Sequence, residues 1–425
     1  PRLSLGCGLS GSRPVAVPDL GPCARALALW LEGRGHAVTL IPANGAALDA
    51  GQAETTSKEY LTFSMLLGQA LLAADGSLAT QVLVPRTQGA EADCQYARVI
   101  AGVLARRGGA ARVVAPALET LAWECEDVEG LFDALLAADE EIARADAARA
   151  KAARSGTTHE EASRPATTRV DTARLDACRS DEARAEAARL ATDRADEDCA
   201  DAVCADAAST GAICADSAGA GAVSAGSSGV FGMGRQKTLG VVGEWGLVAC
   251  DVLTGNALGI AAAEGVRPVR MPLAEYLWFL WNDDLAAERA EAGRRADEEE
   301  SRALSAEELG RRQALLDRLA LRMGESAARL GELSPFSSDL GSLVAIADER
   351  LGRFAGGGGR YRLAKAFEFG KTCDGVATLS SMYENTGTIL ELVLGDVGVP
   401  MLPLSFDGSP GQGAEDRLRS FLYFL

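Results

Sequence analysis

The apolar positions of residues 57–104 change period along the chain, and this change predicts a helix, a strand, a loop and a second helix. Residues 63–71 place apolar side chains close to the i, i+3, i+4 spacing of one buried helix face. Residues 81–85 form a short apolar run that ends at a proline, which is typical of a buried parallel strand. Residues 86–94 are polar, and residues 95–104 return to helical spacing. The polar loop is therefore expected at the carboxyl edge of a sheet and at a helix N-terminus, where ligands and anions bind.

Short apolar runs and amphipathic stretches alternate on both sides of this unit. The alternation covers residues 13–142 and again residues 237–425, and it predicts an α/β fold with two parallel sheets covered by helices. Further strands are predicted at residues 13–18, 37–41, 111–115, 238–244, 266–271, 373–379 and 399–405. Further helices are predicted at residues 20–33, 128–142, 251–264, 361–370 and 416–425, and one or two within 284–330.

Composition separates the two α/β regions. Residues 143–236 are rich in Ala, Arg, Asp, Glu, Ser and Gly and have few core-forming side chains, so they are predicted to be a low-complexity linker, partly disordered. Residues 1–12 are Gly- and Ser-rich and are predicted to be loose. The first lobe is then residues 13–142, and the second is residues 237–425 with a charged helical passage at 284–330.

Charge and cysteine spacing limit the classes of function. The formal net charge of -18 disfavours nucleic acid and anionic membrane surfaces as partners. No apolar run reaches transmembrane length and no secretory signal opens the chain, so a cytoplasmic location is expected. The chain has ten cysteines, but no two of them are spaced as C-x-x-C, and its only histidines are His36 and His159. The sequence therefore predicts no metal site formed by ligands that are close together in the chain.

Four phrases of the sequence carry a family resemblance. Residues 58–68 read KEYLTFSMLLG, residues 89–96 read GAEADCQY, residues 239–244 read LGVVGE and residues 374–387 read DGVATLSSMYENTG. In order and spacing they resemble phrases of the 2-hydroxyacyl-CoA dehydratase family and of the related domain of large CoA-enzyme activases. The resemblance implies two doubly wound, flavodoxin-like lobes that face each other, with the functional site between them at the strand ends.

The resemblance also implies a lost cofactor. Members of the family hold a [4Fe-4S]-type cluster through cysteines, because iron in such clusters needs soft, anionic sulfur ligands. The three matching positions here are Tyr60, Glu91 and Glu384, or Tyr383 in place of Glu384 if the register slips by one. No cofactor and no catalytic residue are therefore predicted. The implied role is a degenerate, cluster-deficient scaffold or partner subunit in an ATP-driven, low-potential electron-transfer system.

The implied partners follow from the same family. They are an ATPase activator, a dehydratase subunit, or upstream domains of a longer chain. The chain contains no glycine-rich phosphate loop ending in Lys-Ser or Lys-Thr, so ATP hydrolysis by that route is not expected of it.

Two alternatives remain open at the level of sequence. In the first, the chain is an active iron–sulfur reductase or dehydratase component whose cluster uses displaced cysteines, with Cys94, Cys250 and Cys373 as candidate ligands. In the second, the cleft between the lobes binds a CoA ester without redox chemistry. The candidate cleft residues are Gln95, Tyr96, Glu244 and Tyr383.

Overall fold

A computed structural model gives the architecture of most of the chain. It describes residues 13–56, 59–75, 81–84, 93–108, 111–116, 127–155, 235–294, 305–352, 358–382, 384–395, 397–408 and 412–425. Almost all of the predicted low-complexity linker lies outside these residues, and so do the predicted loose N-terminus, Glu91 and Tyr383.

The first lobe is built on a four-stranded parallel sheet. Its strands are β1 (Val15–Asp19), β2 (Val38–Pro42), β3 (Gln81–Leu83) and β4 (Arg112–Val114). They lie in the order β2-β1-β3-β4, and every neighbouring pair is parallel. The central strand β1 is buried almost throughout, because its Val and Ala side chains face helices on both sides.

The second lobe repeats this arrangement. Its strands are β5 (Thr238–Gly243), β6 (Arg267–Arg270), β7 (Gly375–Ser381) and β8 (Met401–Phe406). Their order is β6-β5-β7-β8, again with all neighbours parallel. The predicted fold class, two parallel-sheet α/β lobes, is therefore confirmed.

Four helices flank the first sheet: α1 (Pro22–Glu32), α2 (Gly45–Gln52), α3 (Leu61–Asp75) and α4 (Asp93–Arg106). Three of them lie close to where the sequence predicts them, whereas α2 was not predicted. Helix α1 carries Pro22 in its first turn, where a missing N–H costs nothing. Helix α2 begins after Asn44, whose side chain accepts a hydrogen bond from Ala47 N at 2.9 Å.

A long helix, α5 (Val128–Arg154), joins the two lobes by packing against both. The amphipathic helix is predicted to end at residue 142, with a solvated helix expected beyond it, but α5 continues to Arg154 and remains partly buried there. Its inner face is apolar where it covers α1, and Asp146 is buried further along, where the helix crosses β6. A bidentate pair, in which Arg270 Nε and Nη2 lie 2.8 and 3.1 Å from the Asp146 carboxylate, fixes this second half.

The second lobe contains three helices that the sequence analysis does not predict, at Trp245–Ala249, Leu340–Leu351 and Asn385–Leu394. The region predicted as one helix at 251–264 is instead a turn at 251–256, where Asn256 takes the left-handed conformation (φ 63°), followed by one short helix. The charged passage is the end of one helix and the whole of another. The helices are α6 (Trp245–Ala249), α7 (Ala257–Ala263), α8 (Leu273–Arg294), α9 (Ala306–Leu330), α10 (Leu340–Leu351), α11 (Gly358–Thr372), α12 (Asn385–Leu394) and α13 (Gln412–Phe424).

The aromatic passage at the start of α8 belongs to the core. Tyr276, Phe279 and Trp281 are all buried there. One apolar cluster runs from the first sheet through α5 into the second lobe. No helix in the described part of the chain combines the length and apolar character that a membrane crossing requires.

Candidate functional site

Two buried glutamates lie side by side at the carboxyl edge of the second sheet. Glu244 follows β5 and Glu384 follows β7, and these strands are neighbours in the sheet. Each glutamate is the residue immediately before a helix, but neither side chain caps its own helix. Glu244 is 7% exposed and Glu384 is 5% exposed. We refer to these two residues as the carboxyl pair.

Arg362 of α11 supplies a cation to the carboxyl pair. Its Nη1 lies 2.5 Å from Glu384 Oε1, and the side chain is almost fully buried. Burial, followed by the negative charge of Glu384, raises the pKa of Glu244 to about 6. The hydrogen bond from Ser381 and the nearby Arg362 act in the opposite direction. The group can therefore take up or release a proton close to neutral pH.

The first lobe reaches this edge through the start of α3. Leu61 N–H donates to Ser381 Oγ at 3.0 Å, and Ser381 is the last residue of β7. The Ser381 N–H donates to Glu244 Oε2 at 3.1 Å, and the Ser381 hydroxyl donates to the same oxygen. A continuous chain of hydrogen bonds therefore runs from the backbone of one lobe to a carboxylate of the other.

Thr62 and Gly246 bring the two backbones close together at the same place. A Cβ atom on Gly246 would lie 2.3 Å from Thr62 Oγ1, so only glycine fits there. Thr62 also lowers the pKa of Glu244. Next to it, Gln52 Nε2 donates to Asp407 O at 3.3 Å after the end of β8.

The predicted former cluster positions can be placed for two of the three residues. Tyr60 is half-buried and directly precedes Leu61, which bonds to Ser381. Its ring makes an edge contact with Tyr96, at 6.4 Å between centroids. The segments that carry Tyr60 and Glu384 thus come from different lobes and meet at Ser381. Glu91 lies outside the described residues.

The remaining predicted cleft residues separate into buried and exposed ones. Tyr96 is buried and packs on Phe63, with ring centroids 5.2 Å apart. Gln95, its neighbour in α4, is exposed. The backbone of Cys94 lies in the first turn of α4, and its side chain is not among those described. Tyr383 lies outside the described residues as well.

Two candidate thiols lie at opposite ends of the second sheet. Cys250 ends α6, which follows the carboxyl end of β5, whereas Cys373 precedes the amino end of β7. A seven-residue strand separates Cys373 from the carboxyl pair, a span of about 20 Å. Burial raises the pKa of both thiols, which favours the protonated form over the thiolate that metals require.

Three residues of the site carry little or no sequence signal. Arg362 lies with Arg360 and Lys365 in a stretch of α11 that is otherwise apolar. Three cations in a helix that must pack into a core do predict buried anionic partners, but they do not say which. Ser381 and Thr62 are ordinary hydroxyl residues, and only the meeting of the two lobes gives them their contacts.

The described part of the chain contains no group of three or more His, Cys, Asp or Glu side chains arranged to hold a metal ion. The donor set of the site is two carboxylates, two hydroxyls and one guanidinium, which suits the binding and transfer of protons. Comparison with known proteins finds no family model, no curated protein and no solved structure that matches the chain.

Proposed function

We propose that this chain is a cluster-deficient relative of the 2-hydroxyacyl-CoA dehydratase family, which serves as a cytoplasmic scaffold or partner subunit in ATP-driven, low-potential electron transfer. The proposal combines the sequence resemblance with two parallel-sheet lobes of the same strand order. Its implied partners are an ATPase activator, a dehydratase subunit, or further domains of a longer chain.

One observation carries the proposal. The segments that match the family's first and third ligand positions belong to different lobes, and they meet through the bond from Leu61 N–H to Ser381 Oγ. Such a meeting is what a cluster held between two lobes would require of its ligands. At these positions the chain has the phenol of Tyr60 and the carboxylate of Glu384.

The chemistry around Glu384 supports the loss of the cluster. A [4Fe-4S] cluster needs thiolates, and neither a phenol nor a carboxylate replaces them well. Glu384 is also held by the positive charge of Arg362, 2.5 Å away, which disfavours a second cation beside it. The space next to Glu384 is taken up by Ser381 and Glu244, both buried.

Anaerobic reconstitution with iron and sulfide tests the proposal. The wild-type chain is expected to bind neither in stoichiometric amount and to develop no cluster absorbance. A triple variant, Tyr60→Cys, Glu91→Cys and Glu384→Cys, is expected to gain iron and sulfide, because it restores the three thiolates. A control with three cysteines at exposed sites, Leu29→Cys, Val99→Cys and Leu321→Cys, should bind no more than wild type. Stoichiometric iron and sulfide in the wild-type protein would refute the proposal.

The alternative of displaced cysteine ligands is favoured by one placement. Cys94 lies two residues before Tyr96, whose ring contacts Tyr60. If the wild-type chain does bind iron, Cys94→Ser is expected to abolish it, with Cys373→Ser as the control at the far edge of the sheet. A thermal shift with CoA esters in the iron-free protein would instead favour the CoA-ester-binding alternative.

A further inference from the structure

We infer that the contact between α3 and the ends of β5 and β7 is a latch, which closes the two lobes over the carboxyl pair and opens while α5 stays packed against both. The inference rests on the proposed function in that it concerns the same cleft. Its test reads the separation of the lobes and requires neither iron nor a partner protein.

Two hydrogen bonds and the buried side chain of Leu61 hold the latch side of the interface. Leu61 N–H to Ser381 Oγ is 3.0 Å, and Gln52 Nε2 to Asp407 O is 3.3 Å. Each of these groups can form an equivalent bond with water once the lobes separate, so breaking them costs little. The Ser381 bonds to Glu244 lie within the second lobe and can persist in the open form.

Two glycines at the latch allow the backbones of the two lobes to approach closely. Gly246 faces Thr62, and Gly408 faces Gln52 and Leu61, with distances of 2.5 Å and 2.7 Å from its ideal Cβ position to their nearest atoms. Contacts of this kind depend on close approach of the backbones. Such surfaces can move apart without repacking interlocked side chains, which is characteristic of hinge opening between domains.

The α5 side of the interface is of a different kind. There α5 covers α1 with apolar side chains, and Arg270 donates two hydrogen bonds to the Asp146 carboxylate. The carboxylate of Asp139 accepts hydrogen bonds from Leu273 N at 3.0 Å and Ala274 N at 2.9 Å. A large apolar contact with buried ion pairs resists separation, so motion is expected at the latch.

The closed state leaves one group at the latch without a well-formed bond. Glu244 Oε1 is buried and has no hydrogen-bond partner among the described residues. A buried carboxylate oxygen in this condition is costly, and opening relieves the cost because water or a ligand donor can reach it. A ligand donor that enters the open cleft would therefore meet this acceptor beside Glu384, which Arg362 holds from within the second lobe.

Hydrogen exchange of the full chain tests the latch. Ser381→Ala is expected to speed exchange of the peptide that begins at Leu61 about fivefold to tenfold. Loss of one bond alone would affect only the Leu61 amide. Lobe opening would also speed exchange around Gly246 and enlarge the radius of gyration measured by small-angle scattering. Ser405→Ala on the neighbouring strand β8 removes a hydrogen bond to Ser380 Oγ (3.2 Å) that lies within the second lobe, so it is the matched control and should leave the separation of the lobes as in wild type.

A larger side chain at Gly246 provides an independent test. Gly246→Ala adds a methyl group against Thr62 and is expected to force the latch open, with the same changes in exchange and scattering. Adding Thr62→Ala to Gly246→Ala should partly restore closure, because it removes the two closest atoms, Oγ1 and Cγ2. Gly310→Ala in α9, with no atom within 4 Å of its ideal Cβ position, is the control.

The outcomes decide between the two claims. If Ser381→Ala and Gly246→Ala both keep wild-type exchange around Gly246 and a wild-type radius of gyration, the latch is wrong, whatever the iron measurement gives. If the lobes open as expected but the wild-type protein binds iron and sulfide, the latch stands and the cluster-deficient function fails.

Discussion

Two buried charged clusters of the second lobe contrast sharply. The first, which we call the Lys365 network, consists of Lys365, Glu275, Glu368, Ser337 and Tyr361. The Lys365 ammonium lies 2.8 Å from Glu275, 2.9 Å from Glu368 and 3.0 Å from the Ser337 hydroxyl, so all three donors are used. Glu275 in turn accepts from Ser337 N and from the Tyr361 hydroxyl.

The carboxyl pair is built differently. Arg362 pairs with Glu384 and acts on Glu244 through its charge, and Glu244 Oε1 has no hydrogen-bond partner among the residues that the structure describes. The Lys365 network lies entirely within one lobe, whereas the carboxyl pair receives a hydrogen bond, through Ser381, from the backbone of the other lobe. Full satisfaction within one lobe is typical of a structural network, and incomplete satisfaction at a lobe boundary is typical of a functional site.

The largest expected effect comes from breaking the Lys365 network. Lys365→Met is expected to lower the free energy of unfolding by about 3–5 kcal/mol, because it leaves Glu275 buried without its cation. Urea denaturation followed by circular dichroism measures it. Lys371→Met, on the exposed side of the same helix, should cost less than about 0.5 kcal/mol. A loss below about 1 kcal/mol for Lys365→Met would show that the network is not structural.

A smaller, pH-dependent effect is expected at the carboxyl pair. Arg362→Met removes the cation that both carboxylates share, and it should cost about 2–4 kcal/mol at pH 8. The cost should shrink at pH 5, because Glu244, with a pKa of about 6, is then protonated and repels Glu384 less. Unfolding free energies at the two pH values measure the difference. An equal loss at both would contradict a shared cation.

The smallest effect has the opposite sign. A carboxyl whose pKa is raised in the folded state makes the fold less stable as the pH rises from the unfolded to the folded pKa, here from 4.5 to about 6. Glu244→Gln removes this titration. The free energy of unfolding of the variant minus that of wild type should therefore be about 1–2 kcal/mol more positive at pH 8 than at pH 4. The pH dependence of urea midpoints measures it, and Glu349→Gln, exposed on α10, is the control.

The fold could be predicted from the sequence because each strand coincides with a short run of apolar residues. Each predicted strand appears in one of the two sheets, and α3 extends only a few residues beyond its periodic core at 63–71. The burial of α5 beyond residue 142 could not be predicted, since the Ala and Arg residues there suggest a solvated helical tract. The ion pair between Asp146 and Arg270, which are 124 residues apart in sequence, makes that tract part of the core.

The candidate site could be predicted only in part. Glu244 and Glu384 follow strands and fall within recognisable phrases, so the sequence singles them out. Arg362, Ser381 and Thr62 could not be assigned, because their contacts depend on how α11 and the first lobe approach the sheet edge. The hydrophobic pattern of one element predicts where a strand ends. Which side chains of other elements contact that end depends on the tertiary arrangement.

Helix α5 has a consequence for how the two halves stay joined. Its apolar face is covered by α1 of the first lobe, while its buried Asp146 is held by β6 of the second. The two sheets are thus held together by non-covalent packing of both lobes against α5. The two lobes therefore have a joint that does not depend on the chain connection between them, and a cut in that connection would leave this packing in place.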